Sequence, residues 1–291
     1  ELVIFDRTNP AELTERCGGA EIVLTNKVPV RAEHLAALPS LKHIGVTATG
    51  TNIVDLDAAR ARGISVSNVP GYSTMSVAQH VFALMFELAA RIGPTDAAVK
   101  AGAWRNCQDF CFTVAPFTEL AGKTLGLVGF GAIAQAVAGI GHALGMKILV
   151  QSRTEKPSAL PVEWVGVDEL FERAEVISLH CPLTPETSNL VNDSRLARMK
   201  PTAWIINTGR GPLVDEAAVA AALRDGRLGA FAADVLTAEP PVNGNPLIGA
   251  PNTVITPHIA WASVEARHRL MEILVENVRG FIAGEPRNLV N

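Results

Sequence analysis

At 291 residues the chain has room for two domains of ordinary size and a substantial buried core. Apolar residues make up 48% and charged residues 19%, which excludes a disordered chain, and no apolar run approaches the ~20 residues of a membrane-spanning helix. A formal charge of −4 excludes a broad basic surface for nucleic acid or for anionic membrane.

The chain opens on "ELVIFDRT", an expected strand with no charged-then-apolar leader before it, so no secretory signal is expected. "EIVLT", "KHIGVT" and "ISVSNV" continue as strands, separated by the helical stretches "AELTERC", "AEHLAAL" and "NIVDLDAARARG". Together they predict a small βα domain. "STMSVAQHVFALMFELAARIG" then carries an apolar stripe (Val77, Val81, Leu84, Leu88) and is expected to stop at Gly93-Pro94. A second series of strands follows in "TLGLVGF", "KILVQS", "EWVGV", "VISLHC", "AWIINT", "AFAADV" and "TVITP". Strands joined through helices run parallel, with crossovers on both faces, so an open doubly wound sheet is expected. The last helix, "SVEARHRLMEILVENVRGFIAG", is long enough to return to the first domain. The expected domains are therefore 1–94 completed by 264–291, and 95–263, with a cleft between them. Cys107 and Cys111 have the spacing of adjacent helical turns, but no Cys/His pair completes a zinc set. With Cys17 and Cys181 they read as free thiols in a reducing cytosol, and no metal is expected.

"VGFGAIAQ" gives G-x-G-x-x-A between a strand and a helix. Gly129 makes the tight turn, Gly131 lets backbone approach a pyrophosphate, and Ala134 lets the helix pack on its strand. The amides at the helix start, around Ala132 and Ile133, face the phosphates with the helix dipole behind them. A plain strand-to-helix turn is the bland alternative; a second strand arriving on schedule favours nucleotide binding. In such a unit an acidic residue is expected about 20 residues on, to hold the adenosine ribose. Here that place falls at Gln151, followed by Ser152, Arg153 and Thr154.

Three later strands end in polar residues: "AWIINTGRG" with Arg210, "AFAADVLTAEPP" running through Asp234 to Glu239, and "TVITPHIAWAS" with His258. A parallel sheet gathers ligands at the carboxyl ends of its strands, so an arginine, a carboxylate and a histidine can converge there on one substrate. Taken singly, each is an ordinary surface or loop residue. The other six histidines have no comparable setting in the sequence; His180, in the apolar "VISLHCPL", reads as a cofactor-flanking or packed residue.

At this point the chain resembles the D-isomer-specific 2-hydroxyacid dehydrogenases from end to end. The resemblance rests on "ATGTNIVDLDAARARGISVSNVP", "SVAQHVFALM", "ELAGKTLGLVGFGAIAQAV", "HCPLTPETSNLVN", "INTGRGPLVDEAAVAAALRDGRLGAFAADV", "AEPP" and "TPHIAW". It implies a Rossmann dinucleotide-binding domain inserted in a smaller flavodoxin-like substrate domain. "TNKVPV", "FCF" and "PHIAWAS" are most similar to the glycerate dehydrogenase (hydroxypyruvate reductase, glyoxylate reductase) branch. By this resemblance Arg210 binds the carboxylate and carbonyl of a small 2-keto acid, His258 is the acid–base, and Glu239 holds its ring. Asp234 is implied near the nicotinamide, and Cys181, Pro182, Thr187 and Thr208 join the cofactor contacts. Amides around Ala48, Thr49 and Gly50 receive the substrate carboxylate, and Lys27 adds positive charge or is simply solvated. NAD-preferring members carry an aspartate aligned with about Ser152. Its replacement favours NADP over NAD, since Ser152, Arg153 and Thr154 all donate hydrogen bonds; the alternative is an exposed turn with Glu155 or solvent near the ribose and NAD as cofactor. "AWRNCQDFCFTVAPF" resembles the family's dimer arm, so a homodimer through 98–120 is implied, with Trp104, Phe110 or Phe112 near a partner's site. The contrasting reading is a nucleotide-sensing, corepressor-like binding protein on the same fold. A formate-dehydrogenase-like enzyme is disfavoured because Glu239, not Gln, stands beside the histidine.

Overall fold

The alternation of apolar runs with helical stretches folds into two parallel sheets, one in each unit of a computed structural model that describes residues 1–291. The first unit is Glu1–Ser73 with Ala262–Asn291; the second is Thr74–Trp261. The second is thus an insertion in the first.

In the first unit β1 (Ile22–Thr25), β2 (His43–Val46) and β3 (Ser65–Ser67) pair in parallel in that order. The central strand, β2, is buried along its whole length, its polar His43 included. Around it lie α1 (Leu13–Arg16), α2 (Ala32–Ala37) and α3 (Leu56–Ala61), the last capped by Asp55 through the Ala58 amide at 3.0 Å. The final helix, α10 (Val264–Ile282), packs on β2 as expected, burying Ala266, Leu270 and Leu274. Its buried Asn277 donates to the Asn68 carbonyl at 2.8 Å. The expected strand at "ELVIF" does not form: Leu2, Val3, Ile4 and Phe5 are exposed and pair with no strand. An apolar run becomes a strand only where a neighbour completes its hydrogen-bond ladder, and β1 pairs only with β2.

The second unit begins with α4 (Thr74–Ala90) and α5 (Ile92–Lys100), which meet at a 56° bend. The helix expected to close the first domain instead opens the second. Its stripe of Val77, Val81, Leu84 and Leu88 is buried against α6 (Ala132–Ala143) and the sheet, so the boundary lies at Ser73 rather than 94. The return lies at Trp261, slightly before the expected 263. The break also precedes the expected Gly93-Pro94 stop: Arg91 turns left-handed (φ 52°), and Pro94 sits in the first turn of α5, where its missing N–H costs nothing. No single helix is long and apolar enough to cross a membrane. The loop that follows α5 is not helical at Cys107 and Cys111, against the spacing; Cys107 Sγ lies 3.4 Å from the Cys111 carbonyl.

Seven strands follow: β4 (Thr124–Val128), β5 (Lys147–Gln151), β6 (Glu163–Trp164), β7 (Val176–Leu179), β8 (Trp204–Asn207), β9 (Ala230–Ala233) and β10 (Thr253–Ile255). All pair in parallel, in the order β10-β9-β8-β7-β4-β5-β6. The expected strand "EWVGV" is reduced to two residues at the sheet edge. Side chains alternate across β4: Leu125 and Leu127 face the core with α4 and α6, while Val128 joins the opposite one. That opposite core holds α7 (Val167–Arg173), α8 (Asp193–Leu196) and α9 (Glu216–Arg224). Helices cover both faces, so the sheet is doubly wound. Its strand order reverses between β4 and β7, and a crevice opens at their carboxyl ends.

Candidate active site

The glycine turn sits at that reversal. Gly129 follows β4 with φ 88°, and a Cβ on it would lie 2.8 Å from the His180 carbonyl and the Cys181 nitrogen just beyond β7. Only glycine tolerates both conditions. Gly131 differs: its φ is an ordinary −79°, and a Cβ there would meet no protein atom within 4 Å. The protein does not need a glycine at that point, so the space in front of it is available to a ligand. Both line a cavity of about 480 Å³ with Gln151, Ser152, Arg153 and Lys156 on one side and His180 to Thr187 on another. α6 starts at Ala132, so its first amides, those of Ala132 and Ile133 included, have no helical acceptor and face an anion favourably. Ala134 is fully buried in the helix–sheet contact, the role its size requires.

The cavity brings together most of the expected cofactor residues. Gly129, Gly131, Ser152, Arg153, Cys181, Pro182 and Thr187 line it; Ala132, Ile133, Ala134, Thr154, Thr208 and Asp234 do not. Burial pushes the Cys181 thiol up and His180 down to about 4, so the imidazole is neutral at physiological pH. His180 meets the Ser178 hydroxyl at 2.9 Å. Lys156 and Glu186 also line the cavity; Lys156 lies outside every motif, and Glu186 lies within "HCPLTPETSNLVN" without having been singled out. The Glu186 carboxyl is held below its usual range by Thr184 first, then by its own backbone and the charge of Arg153. Arg195, another lining residue, is occupied by Asp168 at 3.3 Å and by the Leu190 carbonyl at 2.8 Å. An open glycine cradle, a free helix N-terminus and a buried Thr208 hydroxyl without a protein partner fit a dinucleotide.

Further along the same edge stand the three expected reactive side chains. His258 Nδ1 and Glu239 Oε2 are 2.6 Å apart, both partly exposed. Glu239 is itself oriented, since its Oε1 accepts from the Leu236 amide at 2.9 Å. Arg210 follows β8 and is exposed, with Nη1 on the Gly209 carbonyl at 2.8 Å. Its turn is built by buried Asn207, which donates to the Arg210 carbonyl (2.9 Å) and accepts from the Gly209 amide (3.0 Å). Gly211 locks that turn to the Glu239 loop: a Cβ there would lie 2.0–2.3 Å from the Leu236–Thr237 peptide. Glu216 of α9 clamps the loop from below through the Thr237 amide and Asn245, both at 2.8 Å. Sequence reading overlooked Asn207 and Glu216 because Asn207 is buried at the last position of β8 and Glu216 opens a helix rather than following a strand.

Asp234, implied near the nicotinamide, is also a structural group of the turn beyond β10. It is 1% exposed, and its carboxylate is engaged by the Thr256 hydroxyl (2.6 Å) and the amides of Ile259 (2.9 Å) and Ala260 (2.8 Å). Its work here is to fold the 256–260 turn that carries His258. His80, read as having no notable setting, reaches the same turn: its Nε2 meets Thr256 Oγ1 at 2.9 Å. The signal was present in "SVAQHVFALM", where a polar ring interrupts an apolar helix face. In the first unit, Ala48, Thr49 and Gly50 follow β2 on a loop tied at both ends. Thr49 Oγ1 donates to the Val69 carbonyl (3.0 Å), the Val69 amide to Ala48 (3.0 Å), and Asn26 to Thr47 (2.7 Å). Lys27, exposed beside Asn26, is thereby held at the same edge of that sheet.

Residues 82–260 match the NAD-binding domain of the D-isomer specific 2-hydroxyacid dehydrogenases. The chain belongs to that family. Among its relatives in the family are a hydroxypyruvate reductase of Blautia hydrogenotrophica, 43% identical over 297 residues, covering all of this chain and 92% of the relative. A glycerate dehydrogenase of Methylorubrum extorquens is 45% identical over 283 residues, 97% of this chain and 88% of the relative. Two solved structures share the fold. An acyclic imino acid reductase in complex with NADPH and D-Arg has a TM-score of 0.89 at 32% identity, over 99% of this chain and 91% of that one. The D-lactate dehydrogenase of Aquifex aeolicus, complexed with NAD and lactic acid, has a TM-score of 0.84 at 30% identity, over 96% and 88%. This dehydrogenase is therefore an oxidoreductase with a two-domain Rossmann fold and an NAD(P)-binding unit.

Proposed function

We propose that the enzyme reduces a small 2-keto acid, glyoxylate or hydroxypyruvate, to the D-2-hydroxy acid, with His258, Glu239 and Arg210 as its reactive side chains. The observation that carries this reading is the 2.6 Å pair of His258 and Glu239 at the carboxyl edge of the NAD(P)-binding sheet. A bound nicotinamide supplies the hydride. His258 gives the proton to the carbonyl oxygen, so the C=O bond gains one hydrogen at carbon and one at oxygen. Glu239 holds the ring through Nδ1, leaving Nε2 for the substrate. Arg210 offers a planar fork of donors to a carboxylate and its neighbouring carbonyl. The choice of these two acids is supported by the relatives' names.

The same reading assigns NADPH as the preferred cofactor, with NADH the weaker one. Ser152 and Arg153 line the cavity where an aspartate would repel a 2′-phosphate, and Lys156 adds a second positive charge. Thr208 and Asp234 would act from the nicotinamide end. A homodimer through the arm of residues 98–120 is supported by Trp104, Phe110 and Phe117, which are 55%, 89% and 66% exposed. Four free cysteines suit a reducing cytosol. The deciding experiment is a panel of 2-keto acids with each reduced cofactor, followed at 340 nm. Turnover of glyoxylate or hydroxypyruvate above that of pyruvate and bulkier acids is expected; a clear preference for a bulky keto acid would overturn the substrate assignment.

A further inference from the structure

We infer that His80 of α4 is a positioning residue for the proton donor His258, acting through Thr256 and Asp234; the inference rests on the reaction proposed above. The direction of the hydrogen bonds follows from what each group can do. An ionised carboxylate only accepts, so at 2.6 Å the Thr256 hydroxyl donates to Asp234 Oδ1. The same hydroxyl oxygen then accepts from His80 Nε2 at 2.9 Å, which fixes the His80 proton on Nε2. Asp234 passes the constraint to the donor itself. Its carboxylate collects the amides of Ile259 and Ala260, and its carbonyl accepts from the His258 amide at 2.7 Å.

The constraint matters because His258 is held in the left-handed region at φ 57°, an uncommon conformation for a residue with a side chain. On the far side, Trp261 Nε1 donates to the His258 carbonyl at 2.9 Å. The ring is therefore aimed at Glu239 by backbone restraints on both sides, and one of those restraints begins on a helix. His80 is 18% exposed and Asp234 is 1% exposed, so water competes weakly for this chain.

The test compares His80→Leu with His80→Gln, whose amide nitrogen stands the same number of bonds from Cα as Nε2. His80→Leu is expected to lower kcat about tenfold, the worth of roughly one hydrogen bond in the transition state, with KM for the keto acid within about twofold. Amide exchange at 258–260, measured on cofactor-free protein, is expected to quicken. His80→Gln is expected to restore most of both. Wild-type kcat and exchange in His80→Leu would overturn the assignment. Equal damage in both variants, or KM and kcat falling together with the melting temperature, would overturn it in favour of simple packing. Should the wild type reduce no 2-keto acid, the proposed reaction fails, while the exchange comparison still decides whether His80 positions His258.

Discussion

His258 and Glu239 stand 2.6 Å apart, close enough to share a proton. A positioned acid–base group contributes about 10²–10⁴-fold to rate, so His258→Gln should lose turnover by that factor while its affinity for reduced cofactor stays near wild type. Stopped-flow binding by cofactor fluorescence, alongside steady-state turnover, separates the two; unimpaired turnover in the folded variant would remove His258 from the reaction. Arg153 is a second residue with a separable effect. Hydrogen bonds from a guanidinium to a phosphate contribute about 1.5–3 kcal/mol, and exposure draws this towards the lower end, so Arg153→Ala should weaken NADPH about tenfold and leave NADH nearly unchanged. Ser152→Asp places a carboxylate at the end of β5 and should swing preference to NADH. Equal weakening of both cofactors by Arg153→Ala would mean that the arginine does not read the phosphate.

At the level of elements, the site is a set of strand-end turns, each fixed by a buried group: Asn207 for Arg210, Asp234 for His258, and Gly211 between the Arg210 and Glu239 loops. Gly211→Ala would drive a Cβ into the Leu236–Thr237 peptide, a contact no rotamer can relieve. The turns must separate, so kcat should fall by at least tenfold and the melting temperature by several degrees, a loss of about 1–3 kcal/mol. A variant with both properties intact would show that the two turns are not locked together. The parallel strands of the second unit and its doubly wound sheet were legible in the sequence because they follow from local pattern, apolar runs between helical stretches; His258 and Glu239 stood out as polar residues beyond strand ends, and the fold brings them to 2.6 Å. What was not legible depends on contacts distant in sequence. α4 has an apolar stripe that fits either domain, and only its packing on α6 assigns it to the second. "ELVIF" has strand composition, but composition does not supply the neighbouring strand. Asp234 and His80 are separated by 154 positions of chain, and nothing in either segment says that one threonine joins them.

The molecule as a whole carries two features that no single site displays. The arm presents Trp104, Phe110 and Phe117 to solvent, so Phe110→Asp should shift a dimer towards monomer in light scattering after gel filtration, with an unchanged mass counting against the arm as the contact. The second feature is a sensitivity to acid built into both units. His43 in the first unit is fully buried between the hydroxyls of Ser65 (2.8 Å) and Ser67 (3.0 Å), stacked on Phe281, and burial lowers its pKa to about 4. His180 in the second unit is likewise lowered to about 4 by burial. In the unfolded chain both return to about 6.5 and bind a proton that the folded chain refuses. Their contribution to stability is therefore fully present above pH 6.5 and is lost as pH falls from there towards 4. At pH 5 each histidine should cost about 2 kcal/mol relative to pH 7, a large fraction of an ordinary domain's stability. Urea unfolding at the two pH values should show the loss. His43→Gln, which keeps a polar group between the serines but does not titrate, should be less stable than wild type at pH 7 and flatter between pH 7 and 5 in the transition of the first unit. A wild-type midpoint that does not move between those pH values would show that neither buried histidine resists protonation.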